Sequence, residues 1–437
     1  MTPPKFTRWL APLAVAACLR LVSLERRPMH ADEAVLADLT GTLFEQGRWN
    51  FQAHDFHGPV LPAAGAAVER AAGARSYAQF SERALRFAPT VAGAALAAVA
   101  GGWGGVLIAV SPAMVYWSRY YIPEMFLALW SALFLAALAR GRWLAAGLCA
   151  GLMFATKETA VLAWLAAAAG WIAARRDRPS VRQFLQMCAA AAVVSLALLT
   201  SGFRHWDQLP SLPAALLSRA GGGGHDHPFG WHFFVLRWEL LLLPAAALGW
   251  KRNPFLAAYA VALALLYSLI PYKTPWCSAQ FWWPVLALAG NGRRAALGCT
   301  LPLAAGAVWT SFIQPVSNPY AYAQTLEEAR QIPERIRALL PTGEPVQFFS
   351  TLNLWPLPWE LRTLPNQQWR RAVDFGAAPA PLVVLTPEME DRAAEWLYER
   401  RPPGERELYL RVFAQPVCLR DGVEVRLYAR GSLLRGP

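Results

Sequence analysis

Long apolar runs fill the first 313 residues of this chain, and they constrain its fold more than any other feature. The run from 87 to 118 contains no charged residue. Several other runs approach the roughly 20 apolar residues that a helix needs to span a bilayer. The sequence is 55% hydrophobic and only 16% charged, which is too few charges for an ordinary soluble protein of 437 residues. The pattern predicts an α-helical polytopic membrane protein, and the Trp residues near the ends of apolar runs are typical of bilayer interfaces.

We predict eleven transmembrane helices. The uncharged run is too long for one span, and the glycine-rich stretch 101–105 offers a turn that divides it into two short helices. Residues 143–174 form either two spans or one long helix with Lys157 buried inside it. The N-terminal run lacks a small-residue cleavage site, so we interpret it as an uncleaved first span. The predicted spans are 9–24, two within 86–118, 122–139, 143–156, 158–174, 183–201, 231–250, 254–270, 276–290 and 295–313.

The loops between these runs differ in charge. With a cytoplasmic N-terminus, the cytoplasmic loops contain many cations and Asp177 as their single acid, which is the positive-inside pattern. These loop cations account for much of the net charge of +12. The sequence contains no zinc-finger spacing and no RNA-binding signature. We therefore predict a multi-pass inner-membrane protein that binds no nucleic acid. The cations are Arg140, Arg142, Arg175, Arg176, Arg178, Arg182, Lys251, Arg252, Arg293 and Arg294.

The composition changes after residue 313. Residues 314–437 carry regular charges, a helical pattern over 326–340 and short runs typical of strands at 346–350, 382–385 and 423–428. We predict two domains, a transmembrane domain over 1–313 and a small α/β domain over 314–437 on the exterior or periplasmic side. The first exterior loop, 25–85, belongs to the transmembrane domain and carries an acidic motif.

That acidic motif is His30-Ala31-Asp32-Glu33, directly after the first apolar run. A carboxylate at a partly dry boundary has a raised pKa and can accept a proton from an attacking hydroxyl. We predict Asp32 as a general base, with Glu33 as a second catalytic candidate. The alternative is that both acids only complement the positive end of a helix.

Histidines form a second candidate set, for an acceptor or for a divalent metal ion. Imidazole and carboxylate suit several metals, but one sequence cannot show that separate loops meet. The alternative is a set of surface histidines beside the Gly58-Pro59 turn. The six cysteines are scattered and form neither a disulfide framework nor metal spacing. The candidates are His30, His54, Asp55, His57, His225 and His227, and Asp32 could join them.

Three exterior cations form a third set. Arg119 lies in Ser118–Glu124, Lys157 interrupts an apolar stretch, and Lys273 lies between two prolines that fix its shape. We predict that these cations, with Tyr120, bind a donor phosphate. The alternatives are an interfacial anchor for Arg119 and an internal ion pair for Lys157.

These motifs together resemble the GT-C class of membrane glycosyltransferases, which includes protein O-mannosyltransferases and aminoarabinose transferases. The set His30–Glu33, Phe56–Pro59, Ser118–Glu124, Thr156–Ala160 and Pro271–Trp276 is most similar to a family labelled flippase-activity-associated. Asn318–Tyr322 and Leu357–Trp359 extend that similarity into the tail. The resemblance implies a polyprenyl-phosphate sugar as donor, Asp32 as base, and no shared metal requirement.

We therefore predict a glycosyltransferase that moves a sugar from the lipid donor to a glycan, lipid or protein acceptor by inverting single displacement. The alternative is a non-enzymatic helper of lipid-linked sugar flipping. A secondary transporter is disfavoured, because such proteins usually contain internal repeats and midplane polar sites. Here no repeat is evident, and the polar groups cluster on one side.

Overall fold

A computed structural model describes residues 7–49, 57–211 and 225–434. Two compact units are present, one formed by Met1–Arg26 with Leu36–Tyr322 and the other by Arg27–Val35 with Ala323–Pro437. The first unit is helical. The helices up to Tyr322 are α1 Thr7–Arg20, α2 Ala31–Gln46, α3 Val60–Ala71, α4 Glu82–Ala100, α5 Gly102–Val110, α6 Pro112–Ser118, α7 Glu124–Ala139, α8 Trp143–Phe154, α9 Ala160–Ala173, α10 Val181–Leu199, α11 Trp231–Val235, α12 Leu243–Gly249, α13 Pro254–Leu269, α14 Ala279–Ala289 and α15 Arg293–Val308.

Two helices in the described ranges are long and apolar enough to cross a membrane by length and composition. They are Val181–Leu199 and Arg293–Ile313, the latter being α15 with the π-helical turn after it. The shorter apolar helices are Trp9–Arg20, Glu124–Ala139, Trp143–Phe154, Ala160–Ala173 and Pro254–Leu269. The count of eleven spans therefore stays a prediction.

Glycine and proline set the breaks between the helices. The helix α4 ends where Gly101 and Gly102 take φ angles of 61° and 56°, in the left-handed region that only glycine adopts readily. The predicted turn in the long uncharged run is thus present, and Ser111-Pro112 adds a further break between α5 and α6. Residues 143–174 form two helices, α8 and α9, rather than one.

Two buried arginines fix the chain that leaves α1. The guanidinium of Arg20 donates to the carbonyl oxygens of Ile108 and Ala109, the last turn of α5, and to Ser118 Oγ. The guanidinium of Arg86 donates to Leu24 O and pairs with Glu82. These contacts satisfy carbonyls at a helix end that would otherwise lack partners.

The second unit is built around a mixed sheet. Its strands are β1 Val346–Phe349, β2 Gln367–Arg370, β3 Leu382–Leu385, β4 Tyr409–Arg411, β5 Val417–Arg420 and β6 Val423–Arg430, and its helices are α16 Gln331–Leu339, α17 Leu357–Glu360, α18 Glu390–Ala394 and α19 Gly431–Leu434. The strand order is β2-β1-β3-β6-β4, and β5 also pairs with β6. The pairs β1/β2 and β1/β3 are parallel, and the pairs that include β6 are antiparallel.

Both faces of the sheet are covered. On one face Phe348 and Val384 pack with Ile332 and Ile336 of α16. On the other face Phe349 packs edge-on against Trp396, at 5.4 Å between ring centroids. This alternation is the period of two that the predicted strand runs carry.

Candidate functional site

The acidic motif begins α2. His30 Nδ1 accepts a hydrogen bond from Asp32 N at 3.0 Å, and Glu33 Oε2 accepts one from His30 N at 2.9 Å. This arrangement is similar to a capping box with histidine in the place of serine, but the His30 side chain accepts from the second helical residue rather than from the third. Glu33 is completely buried, and its Oε2 lies 3.8 Å from the guanidinium of Arg27. Glu33 and His30 therefore stabilise the start of α2.

Asp32 has a different environment. It is the second residue of α2 and is exposed, whereas Ala31 and Glu33 beside it are buried. The positive end of the helix favours a carboxylate at this position. Of the two acids in the motif, Asp32 is the one whose carboxylate is accessible to a substrate.

Two predicted motifs meet between α3 and α9. His57 Nδ1 lies 2.8 Å from Glu158 Oε2. Gly58 N donates to Thr156 O, and Val60 N donates to Ala155 O, both at 3.2 Å. A Cβ added at Gly58 would lie 2.1 Å from Ala155 O, so only glycine fits this approach. His54 and Asp55, the other candidates of this motif, lie outside the described residues.

Lys157 has a buried carboxylate partner. Its Nζ lies 2.6 Å from Glu124 Oε1, and both side chains are almost fully buried. Cys277 Sγ lies 4.0 Å from the same nitrogen, and Gln280 Nε2 donates to Glu124 O at 2.9 Å. The motifs Ser118–Glu124 and Thr156–Ala160 thus meet, and Cys277, which directly follows the motif Pro271–Trp276, lies beside their ion pair. This pair agrees with the alternative interpretation of Lys157, which is an internal ion pair.

Arg119 is held by backbone. Its guanidinium donates to the carbonyl oxygens of Arg20, Val22 and Ser23 at 2.7–2.9 Å, and lies 4.5 Å from the ring centroid of Phe312. These contacts fix the end of α1.

Tyr120, next in the chain, is also buried. Its hydroxyl lies 2.9 Å from that of Tyr116, which in turn donates to Pro315 O.

Lys273 is buried without a described ion pair. Its Nζ donates to the carbonyl oxygens of Ile270, Pro271 and His227, the last at 2.9 Å. Among the described residues no carboxylate lies within ion-pair distance of Lys273, although Asp226 acts on it electrostatically. Burial lowers the pKa of Lys273, and the charge of Asp226 opposes that shift. Carbonyl dipoles orient a cation but do not neutralise it.

His225 and His227 lie on either side of one hydroxyl. His225 Nδ1 lies 2.7 Å and His227 Nε2 3.4 Å from Tyr322 Oη. The ring of His227 stacks on Trp231 at 3.9 Å between centroids. Burial lowers the pKa of His227, and His225 and Lys273 lower it further, which favours a neutral imidazole.

No group of three or more His, Cys, Asp or Glu side chains that could hold a metal ion is present within the described ranges. His30 is used for helix capping, His57 faces Glu158, and His225 and His227 face Tyr322. The four candidate histidines that the structure describes are therefore distributed over three separate environments.

Sequence reasoning missed several partners. The sequence predicted Tyr322 only as part of a motif, with no role of its own. Glu239, completely buried inside the predicted span 231–250, accepts hydrogen bonds from Ser111, Ala113, Trp282 and Tyr320. The sequence signal that could have indicated this role is a single acid in an apolar run. An ionisable residue at membrane depth is costly unless it has partners.

Comparison with solved structures identifies the fold. The crystal structure of ArnT from Cupriavidus metallidurans in the apo state matches with a TM-score of 0.72 and 14% identity, covering 98% of each chain. The chain has the ArnT fold. ArnT bound to undecaprenyl phosphate matches with a TM-score of 0.69 and 14% identity, covering 98% of this chain and 99% of ArnT.

The similarity extends over the helical unit and the C-terminal sheet, because it covers 98% of this chain. No protein-family model and no curated protein matches the sequence. The closer similarity to the flippase-activity-associated family stays a prediction.

Proposed function

We propose that this protein is a membrane glycosyltransferase that uses a polyprenyl-phosphate-linked sugar as donor. The observation that carries the proposal is the fold shared with ArnT over nearly the whole of both chains, since one ArnT structure contains undecaprenyl phosphate. The exposed carboxylate of Asp32 at the start of α2 supports it. The ArnT fold also supports a multi-pass inner-membrane location.

Asp32 is the proposed general base. An acceptor hydroxyl attacks the anomeric carbon and gives its proton to the Asp32 carboxylate. The new bond joins the acceptor oxygen to that carbon, the bond to the phosphate oxygen breaks, and polyprenyl phosphate leaves with the electron pair. One displacement inverts the anomeric configuration. Glu33, which is buried against His30 and Arg27, supports the position of Asp32.

Lys273 is the strongest of the proposed phosphate ligands. It is a buried cation oriented by three carbonyl oxygens, and a phosphate would supply the counter-charge that carbonyls do not. Lys157 is already neutralised by Glu124. Arg119 donates to three carbonyls at 2.7–2.9 Å, whereas the contact from Lys273 Nζ to Pro271 O is 3.5 Å long and can be exchanged for a phosphate oxygen. We propose secondary roles in phosphate binding for Lys157, Arg119 and Tyr120.

The alternative function is a non-enzymatic helper of lipid-linked sugar movement. The ArnT fold supports it through the same lipid chemistry, since such a helper also has to bind a polyprenyl phosphate. Only the enzyme requires a proton acceptor.

Asp32→Asn separates the two functions, because it preserves the shape of the side chain and removes its basicity. Purified protein would be supplied with polyprenyl-phosphate mannose or polyprenyl-phosphate aminoarabinose and crude membrane acceptors, and release of polyprenyl phosphate would be measured. We expect turnover to fall by roughly 100-fold or more. Asp421→Asn, an exposed acid of the second unit, is the matched control and should keep wild-type turnover. Wild-type turnover in Asp32→Asn would remove Asp32 as base, whereas an absence of turnover in the wild-type protein itself would favour the helper.

A further inference from the structure

Six rings of the first unit form a cluster beside Lys273. The ring of His227 stacks on that of Trp231, at 3.9 Å between centroids and 3° between planes. The ring of Tyr322 meets both of them edge-on, with centroids at 6.0 and 6.1 Å. Further ring contacts join the other members to these three. This aromatic cluster consists of His225, His227, Trp231, Tyr272, Trp276 and Tyr322.

Backbone hydrogen bonds attach the aromatic cluster to Lys273. Lys273 N donates to His225 O at 2.9 Å, and His227 N donates to Pro271 O at 3.1 Å. The side chain of Lys273 binds the same loop, because its Nζ donates to His227 O at 2.9 Å. The cation and the rings therefore lie on two short segments that are bonded to each other, and a ligand of Lys273 has the aromatic cluster as its neighbour.

The aromatic cluster also contains hydrogen-bonding groups. Tyr322 Oη lies between His225 Nδ1 and His227 Nε2, at 2.7 and 3.4 Å. Within the described ranges the second nitrogen of each imidazole, His225 Nε2 or His227 Nδ1, has no hydrogen-bond partner. A neutral imidazole has one donor and one acceptor, and a hydroxyl group can bond to either. The cluster can therefore bind hydroxyl groups as well as an apolar surface.

Most of these rings are accessible to a ligand. Trp276 is almost fully buried, whereas the other five rings of the aromatic cluster are partly exposed. A sugar ring has an apolar face of C–H groups and a rim of hydroxyl groups. Aromatic rings combined with a few polar groups are the usual lining of a site for such a molecule. An aromatic anchor at the bilayer interface, by contrast, does not require two imidazoles bonded to one phenol.

We propose that the aromatic cluster binds the sugar ring of the lipid-linked donor while Lys273 binds its phosphate. The inference rests on the proposed function, and it adds a sugar site to it. In such a donor a single oxygen atom joins the sugar to the phosphate, so a phosphate at Lys273 keeps the sugar close to the ring of His227. The contacts to the sugar are lost when the sugar is transferred. The protein therefore binds the donor more tightly than the polyprenyl phosphate that remains, which favours release of this product.

The test compares lipids that differ only in the sugar. Binding of undecaprenyl-phosphate mannose, undecaprenyl-phosphate aminoarabinose and undecaprenyl phosphate to the purified full chain is measured without acceptor. We expect Trp231→Ala to weaken binding of at least one sugar lipid by roughly five- to tenfold, and Tyr322→Phe by roughly threefold. Both variants should bind undecaprenyl phosphate as the wild type does. Phe229→Ala, which removes an exposed ring of the same loop, is the matched control and should bind all three lipids like the wild type.

An equal loss of affinity for all three lipids, or no loss in a folded variant, overturns the sugar site. If Trp231→Ala does not fold, Tyr322→Phe decides, because it removes only a hydroxyl group. A wild-type protein that binds undecaprenyl phosphate and prefers neither sugar lipid also overturns the sugar site, but it leaves the lipid class of the proposed donor in place. A wild-type protein that binds none of the three lipids rejects the proposed function itself.

Discussion

Lys157 and Glu124 form a buried pair whose two members depend on each other. Removing one partner of such a pair leaves an uncompensated charge, which costs about 3–5 kcal/mol, whereas removing both is often nearly neutral. We therefore expect Lys157→Met to lower the melting temperature of the purified protein and Lys157→Met/Glu124→Gln to recover a large part of the loss. Equal melting temperatures for wild type and Lys157→Met would contradict the pair.

The same variants test Lys157 as a phosphate ligand. If Lys157 contributes to phosphate binding, undecaprenyl phosphate should bind more weakly to both the single and the double variant. Wild-type binding by the stabilised double variant would leave the donor phosphate to Lys273, Arg119 and Tyr120.

Gly58 is the residue that permits His57 to meet Glu158. A methyl group at this position would lie 2.1 Å from Ala155 O, so the backbone bonds from Gly58 and Val60 would have to break. We expect Gly58→Ala to lower both the melting temperature and the yield of folded protein. Gly298→Ala in α15 is the control, because nothing lies within 4 Å of a Cβ there and alanine favours the helix by up to about 1 kcal/mol. A Gly58→Ala protein as stable as Gly298→Ala would show that the segment with His57 and the segment with Glu158 can separate freely.

The sequence predicted which residues are chemically unusual, but it did not predict their partners. Asp32, Lys157 and Lys273 were recognisable because each carries a charge beside apolar runs. The partners of Lys157 and Lys273 are Glu124 and three backbone carbonyls, which lie far away in the chain or carry no sequence signature at all. Periodicity is a local signal, so it reports a residue type and a position without reporting long-range contacts.

At the scale of elements, breaks that depend on glycine or on a charge were predictable. The turn at Gly101 and the interruption at Lys157 both appear as helix ends. The region 231–250 was predicted as one span, yet it contains α11, a 3₁₀ turn at Leu240–Leu242 and α12. At this break the side chain of Glu239 contacts three other segments. Such a long-range contact leaves no pattern in the local sequence.

Glu239 links the start of α6, the helix α14 and Tyr320 by hydrogen bonds, so we expect its loss to destabilise the packing of these three segments. Ser111 Oγ and Trp282 Nε1 donate to Oε2, while Ala113 N and Tyr320 Oη donate to Oε1. In Glu239→Gln an amide group would face two donors instead of accepting from them, and each stranded donor costs about 1–3 kcal/mol. We expect a clear fall in melting temperature for Glu239→Gln and a smaller one for Ser111→Ala. The exposed Glu344→Gln should leave it unchanged, and a wild-type melting temperature for Glu239→Gln would refute the role of these bonds.

At the scale of the whole molecule, the change in composition placed a boundary near residue 313. The compact units instead divide after Tyr322, and the second unit also includes Arg27–Val35. Hydrogen bonds from Thr325 and Gln324 to the segment before α2 account for this inclusion. A segment that joins a distant unit through its backbone carbonyl oxygens, which accept from side chains of that unit, carries no mark in its composition.

This division bears on membrane topology. Because Arg27–Val35 and the C-terminal sheet form one compact unit, both must lie on the same side of the membrane, and an even number of spans must separate them. The positive-inside pattern predicts that the loop around Arg178 lies on the cytoplasmic side and the acidic motif on the exterior side. We expect a reporter fused after Arg178 to give a cytoplasmic signal and a reporter at the C-terminus to give an exterior one. Asp421→Cys, in a background without the six native cysteines, should react with an impermeant maleimide in spheroplasts, while Arg178→Cys should react only after lysis. A cytoplasmic C-terminus would place the acidic motif there too, and the charge-based orientation would then be reversed for the whole chain.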